Sequence, residues 1–226
     1  MLTRSNTLAA FVVLAGVTLG GAAAETKPAA TATTATIATI KALYRSVGAD
    51  IKSKRIDRKR LRTSTVVPAI GDHTRDYTFY SRKGKDRTLA KLVVTYMFAA
   101  SSEHHDEYVF TATGKLAFAL QKQLTQAECD GQSVEVSEAE RLYFAGGKLV
   151  RMLSKRRVVD PDGVDEDCAK ELGRAQRRDS AFGKQELRRA KRIQTLVAGY
   201  RRVAAAVANG TAKRDLKRMM LEVEGL

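Results

Sequence analysis

The hydrophobic period of this chain changes twice, and that double change constrains its fold more than any other feature. Ile37, Ile40, Tyr44, Val47 and Ile51 step by three and four, the spacing that puts apolar residues on one face of an α-helix. Gly48 weakens that helix but does not break the pattern. From residue 76 the period drops to two. Segments 76–80, 89–98, 107–112, 115–120, 140–144 and 148–153 are short, rich in aromatic and β-branched residues, and several are punctuated by glycine-containing turns. The connections are too short for helical crossovers, so the strands are expected to run antiparallel as a meander. The helical period then returns over 185–208, where Ile193, Leu196, Val197, Tyr200, Ala204 and Val207 share a face. Asn209-Gly210 reads as a helix stop, and Thr211 as the N-cap of a last helix striped by Leu216, Met219, Met220 and Val223. The expected fold is α+β: an N-terminal amphipathic helix, about six antiparallel strands, and a C-terminal helical hairpin. The helices are expected on one sheet face, which leaves the other as a contact surface.

Two of the hairpins repeat at an offset of 33 residues. Glu107-Tyr108-Val109-Phe110 and Gly114-Lys115-Leu116-Ala117-Phe118 correspond to Glu140-Arg141-Leu142-Tyr143 and Gly147-Lys148-Leu149-Val150-Arg151. A three-residue loop ending on Gly would pair Phe110 with Leu116 and Tyr108 with Phe118. The same register pairs Tyr143 with Leu149 and Arg141 with Arg151. Two arginines facing each other are unfavourable, by a fraction of about 1 kcal/mol. Solvation with the side chains splayed apart is the simplest resolution. Internal partners (Glu107, Glu138 or Glu140, the last on the opposite face by alternation) and an exogenous anion are the others. Arg141 and Arg151 are therefore the candidate anion-binding residues.

The pattern Arg141-x-Tyr143-Phe144-x-x-Gly147-Lys148-Leu149-x-Arg151 follows a striped helix and a first hairpin of the same type. Across residues 37–153 this resembles a loose group of exported bacterial proteins of unknown function in which a helix precedes a β-meander. The resemblance implies fold and export. It carries no activity, because the motifs are hairpin motifs, and it does not extend to the C-terminal helices.

Export is also read from the first 24 residues. A short polar start with Arg4 leads into an apolar run over 8–19 and ends in Ala22-Ala23-Ala24, a small-residue cleavage pattern. The run is short for a membrane span, which needs about 20 apolar residues. The expected organisation is a cleaved signal peptide over 1–24, a flexible Ala/Thr-rich leader over 25–35, and a single domain over 36–226. That domain divides into a helix and basic segment to 62, the meander over 73–153, and a basic helical region over 166–226. The protein is expected in the periplasm or outside the cell, a setting that disfavours ATP-driven chemistry and favours disulfides. Cys129 and Cys168 are the only cysteines and are expected to pair.

Charge is plentiful and uneven. The chain holds 40 Lys and Arg against 25 Asp and Glu. Residues 25–72 carry a net +6, 73–147 a net −1, and 148–226 a net +9. The densest cluster contains Lys52, Lys54, Arg55, Arg58, Lys59, Arg60 and Arg62. It reads as a solvated helix end and loop, or as a polybasic docking patch. With no aromatic interleaved, it offers no platform for base stacking, so specific nucleic-acid recognition is not expected. Outside the cytoplasm the matching polyanions are lipopolysaccharide, acidic glycans and anionic lipid.

Catalytic and metal signatures are weak. The run Glu103-His104-His105-Asp106-Glu107 lacks the i, i+4 histidine spacing of a helical zinc motif, and neighbours on a strand point to opposite faces. Residues 160–171 meet the calcium-loop pattern only in part, since Gly163 stands fourth rather than sixth. No metal or cofactor is expected. The chain contains no phosphate-binding loop and no nucleophile elbow. The leading expectation is an exported, non-catalytic binding or structural protein of the cell envelope, its partner an envelope protein or a polyanion. The second is a polyanion or membrane-surface binder acting through the basic ends. The third is a secreted enzyme with an unrecognised site.

Overall fold

A computed structural model describes residues 28–67, 71–84, 87–98, 102–129, 131–160, 162, 164–173, 175–179 and 182–225. The expected signal peptide over 1–24 and the start of the expected leader lie outside these residues. The first element is helix α1 (Pro28–Lys52). Seven strands follow: β1 (Ile56–Val67), β2 (Gly71–Arg82), β3 (Leu89–Phe98), β4 (Ser102–Phe110), β5 (Leu116–Cys129), β6 (Gln132–Ala145) and β7 (Lys148–Val158). Helix α2 (Glu166–Leu172), strand β8 (Ala175–Arg178), and helices α3 (Lys184–Ala208) and α4 (Lys213–Glu224) complete the chain. The strands form one open antiparallel sheet in chain order, β1 to β8. The meander is as expected, but the sheet has eight strands rather than about six.

The two extra strands lie at the edges, where apolar alternation fades. In β1 the basic cluster hides the signal: Ile56, Leu61 and Thr63 are buried between exposed cations. The segment expected as helix end and loop is thus an edge strand from Ile56 onward, and its charges discourage edge-to-edge pairing with another chain. β8 is exposed at all four residues. Helix α1 also starts earlier than expected. From Pro28 onward the Ala/Thr stretch read as a leader is helical, which suits proline at a first helical position and the high helix propensity of alanine.

Both sheet faces are covered, which corrects the one-face expectation. On one face, α3 and α4 bury Ile193, Val197, Tyr200, Val203, Leu216 and Met220 against Tyr77, Leu92, Tyr108 and Leu142. At Gly199 a Cβ would stand 2.5 Å from the Val223 side chain, so glycine lets α4 seat closely on α3. α4 begins one residue later than expected, with Ala212 at its N-cap position. On the other face, Ile37, Ile40 and Val47 of α1 pack on Val109, Phe118, Leu120 and Tyr143. A third, small core holds Val134 and Val136 with Val158 and Leu172.

The expected disulfide closes that third core. Cys129 at the end of β5 is bonded to Cys168 in α2, with Cα atoms 6.0 Å apart. Closing a loop of this length stabilises by roughly 4 kcal/mol in the chain-entropy model, as an upper-end figure. The acidic run before α2 has a local role: Asp165 Oδ1 accepts hydrogen bonds from the backbone amides of Asp167 and Cys168, both at 3.0 Å, and caps the helix. Among the described residues no helix is long and apolar enough to cross a membrane.

Candidate functional site

Strand register decides which side chains meet. Phe110 pairs with Leu116 as expected, but a bulge then shifts the ladder, so Tyr108 faces Ala119 and Val109 faces Phe118. The sister hairpin turns through Gly146 and Gly147, both at positive φ (57° and 80°), as a two-residue turn demands. A bulge shifts its ladder too. Phe144 faces Leu149, Tyr143 faces Arg151, and Arg141 faces Leu153. The expected Arg141–Arg151 and Tyr143–Leu149 pairings are therefore displaced: the loop has two residues, not the expected three, which moves the register by one, and the bulge moves it by one more. The two arginines lie on the same sheet face in neighbouring rows, with Tyr143 beside both.

Their surroundings separate them. Arg151 is 7% exposed. Its guanidinium forks onto Asp179, Nε to Oδ1 and Nη2 to Oδ2, the second at 3.0 Å. Arg177 donates to the same carboxylate at 2.6 Å. The hydrogen bond from Arg177 does most to hold the Asp179 carboxyl below the usual carboxylate range; burial opposes it, and the hydrogen bond and charge of Arg151 add to the lowering. None of the three glutamates expected as partners serves either arginine. Glu107 accepts from Lys91 and Tyr44, both at 2.8 Å. Glu138 takes Arg156, and Glu140 takes Arg189 from the opposite face. Asp179 went unnoticed because it lies 28 residues beyond Arg151, past two connections of irregular length.

Arg141 has no such partner. Among the described residues it makes no hydrogen bond or ion pair. Leu120 and Leu153 flank it in its row, with Arg177 beyond; in the next row Lys122 and Lys155 flank Ala139. Helix α1 passes over part of this face and leaves a pocket of about 450 Å³. Phe118, Leu120 and Tyr143 form its floor, and Ile40 and Tyr44 of α1 its wall. Its charged lining is Lys41 and Arg45 from α1, Lys122 from β5 and Arg141 from β6, with no carboxylate. The phenols register this field. Burial raises the Tyr143 phenol, and the charges of Arg141 and Arg151 oppose that rise. Burial, aided by its hydrogen bond to Glu107, pushes the Tyr44 phenol up to about 12.

Four cations around an apolar floor can hold an anion that carries an apolar part. The arrangement presents no nucleophile paired with a base. Among the described residues no group of three or more His, Cys, Asp or Glu side chains could hold a metal ion. Lys41, Arg45 and Lys122 were not singled out from sequence. The signal was there in weak form: Lys41 and Arg45 are four apart on a helix, and Lys122 follows Leu120 at the period of a strand.

The basic cluster is divided by its own strand. Lys52 ends α1, and Lys54 and Arg55 lie in the turn before β1, where Arg55 pairs with Asp50 at 2.7 Å. Arg58, Arg60 and Arg62 alternate with Lys59 and Leu61, so they point to the α1-bearing face and Lys59 to the other. Arg58 stands 6.0 Å from the Tyr80 ring centroid, and Arg62 forks onto Asp76 with both contacts at 2.7 Å. Compared with family models, curated proteins and solved structures, the chain gives no significant match to any of the three.

Proposed function

We propose that this chain is an exported, non-catalytic binding protein of the bacterial envelope, and that its ligand is an anionic amphiphile seated in the α1 pocket against Arg141. One observation carries the reading: four cations line that pocket without a carboxylate, over a floor of Phe118, Leu120 and Tyr143. Uncompensated like charges on a sheet face are unfavourable in the free protein, and an anion relieves them. The apolar floor adds burial for a chain or ring, at roughly 25 cal/mol per Å². Export rests on the sequence of residues 1–24 and agrees with the Cys129–Cys168 bond. The polybasic alternative is less favoured, because register sends the cations of the cluster to different faces and pairs two of them internally.

Calorimetric titration with decyl phosphate, decyl maltoside and inorganic phosphate tests the pocket. Decyl phosphate should bind, and removing either its charge or its chain should weaken binding by about tenfold or more. Arg141→Ala should weaken decyl phosphate by a similar factor and leave the fold intact. Equal affinity for the neutral head group, or indifference to Arg141→Ala, would overturn the reading. Heparin retention that survives Arg141→Ala but not loss of Arg58 and Arg60 would point to the basic ends instead. Export is checked by fractionation and a mature N-terminus at Glu25.

A further inference from the structure

On the opposite face of the sheet, the first half of α3 leaves a second cleft, of about 530 Å³. That lies within the range of pockets that hold small organic ligands. Its floor is apolar and aromatic, built from Val94, Tyr108, Ile193, Leu196 and Tyr200. Arg188 and Arg192, one helical turn apart on α3, stand on one wall. Neither makes an ion pair among the described residues. The other two arginines of the cleft are already engaged, Arg75 by Glu224 and Arg189 by Glu140.

The strand side of the cleft has the complementary lack. Asp106, Gln121 and Glu140 stand side by side in one row across β4, β5 and β6. Asp106 is 7% exposed and, among the described residues, meets no cation at ion-pair distance. Its Oδ2 accepts from the Tyr108 hydroxyl at 3.1 Å and from the Gln121 amide at 3.5 Å. Glu140 Oε1 accepts from Arg189 at 2.8 Å, while Oε2 is buried with no hydrogen-bond partner among the described residues. A buried carboxylate oxygen without a donor is costly, so this side calls for N–H groups. Asp106, Gln121 and Arg189 also line a smaller adjoining pocket of about 120 Å³ that reaches Glu140.

We propose that this cleft binds a short zwitterionic peptide. Its α-ammonium lies between Asp106 and Glu140, its carboxylate lies on Arg188 and Arg192, and its apolar side chains rest on Ile193, Leu196 and Tyr200. A simple anion would satisfy the arginines and bring negative charge towards Asp106 and towards the Glu140 oxygen that lacks a donor. A simple cation would do the reverse. Only a ligand bearing both charges answers both sides. This site is separate from the Arg141 pocket, which lies on the other side of the sheet.

The test is calorimetric titration of the full protein with leucyl-leucine, N-acetyl-leucyl-leucine and leucyl-leucinamide. The free dipeptide should bind, and blocking either end should weaken it by about tenfold or more. Asp106→Asn should erase the preference for a free amine, and Arg192→Ala the preference for a free carboxylate. Asp106→Asn removes an uncompensated buried carboxyl, so its melting temperature without ligand should hold or rise, which separates lost binding from lost folding. Arg141→Ala should leave dipeptide binding unchanged. Equal binding of the blocked dipeptides, no binding of leucyl-leucine at millimolar concentration, or loss of binding in Arg141→Ala would overturn the proposal.

Discussion

Asp106 and Glu107 are neighbours on β4 and point to opposite faces of the sheet, where they meet opposite fates. Glu107 faces α1. Burial there opposes its ionisation, but hydrogen bonds from His105 and Lys91, the Lys91 charge, and the Tyr44 hydroxyl outweigh that cost and hold its pKa at about 2. Asp106 faces α3. Burial dominates and raises its pKa, and the hydroxyl of Tyr108 and the amide of Gln121 recover only part of the loss. One face supplies a cation to its acid; on the other, aromatic rings crowd Asp106, and the two cleft arginines that hold carboxylates, Arg75 and Arg189, hold Glu224 and Glu140 instead. The chemistry of a carboxyl in this protein is set by the layer above it.

The same contrast governs stability, and the largest effect should come from the α3/α4 face. The Glu224 carboxylate is 3% exposed and is paired with Arg75, and one of its oxygens accepts from the hydroxyls of Tyr77 at 2.6 Å and Tyr200 at 2.9 Å. Glu224→Ala should cost about 3–5 kcal/mol, because it strands a mostly buried guanidinium. Urea denaturation gives the value, and a loss below about 1 kcal/mol would mean the face is held by apolar packing alone.

On the α1-bearing face the next effect belongs to Arg151, the neutralised member of the arginine pair. Arg151→Ala should cost about 1.5–3 kcal/mol through the charged hydrogen bonds to Asp179. Stability unchanged in that variant would erase the distinction drawn between Arg151 and Arg141.

Asp106 and Glu107 predict opposite pH behaviour. Glu107 has a folded pKa of about 2 against an ordinary value of 4.5, so its contribution is full above the ordinary value and is lost as pH falls towards 2. Glu107→Gln should flatten that acid limb, by on the order of 1–2 kcal/mol after allowance for solvent screening. Asp106 has a raised folded pKa, so its ionised form costs stability at neutral pH and protonation relieves that cost as pH falls through the folded value. Asp106→Asn should therefore stabilise or be neutral at neutral pH. Parallel acid limbs for the two variants, measured as unfolding free energy against pH, would break the comparison.

The smallest stability effect should come from Arg141→Ala, within about 0.5 kcal/mol, because no partner is stranded. Its consequence should appear in ligand affinity and salt dependence. A large loss of stability would show that Arg141 has a structural role instead.

The helices and central strands were legible because their periods are strong. The stripes of α3 and α4, the alternation in β3 to β7 and the stop at Asn209-Gly210 all follow from local pattern. β1 and β8 were not legible, since edge strands bury few side chains and neither carries full apolar alternation. The register of the repeat failed for a different reason. In the second hairpin the turn closes on two residues rather than three, and in both hairpins a bulge, which leaves no reliable composition signal, then moves every pairing beyond it. Arg141 was identified as a candidate, and its pocket was not, because Lys41 and Arg45 reach it from a helix about 100 residues upstream.

By itself the sequence determined the alternation of helix, meander and helix, the pairing of Cys129 with Cys168, and the excess of positive charge, because each depends on spacing or composition alone. Tertiary structure decided that α1 and the α3/α4 pair take opposite faces of the sheet. It decided that Asp179 neutralises Arg151 while Arg141 goes without, and that adjacent carboxyls on β4 titrate in opposite directions. Those outcomes depend on which distant side chains share a few ångströms of space, and the distance between two charges, not their order along a chain, sets the energy between them.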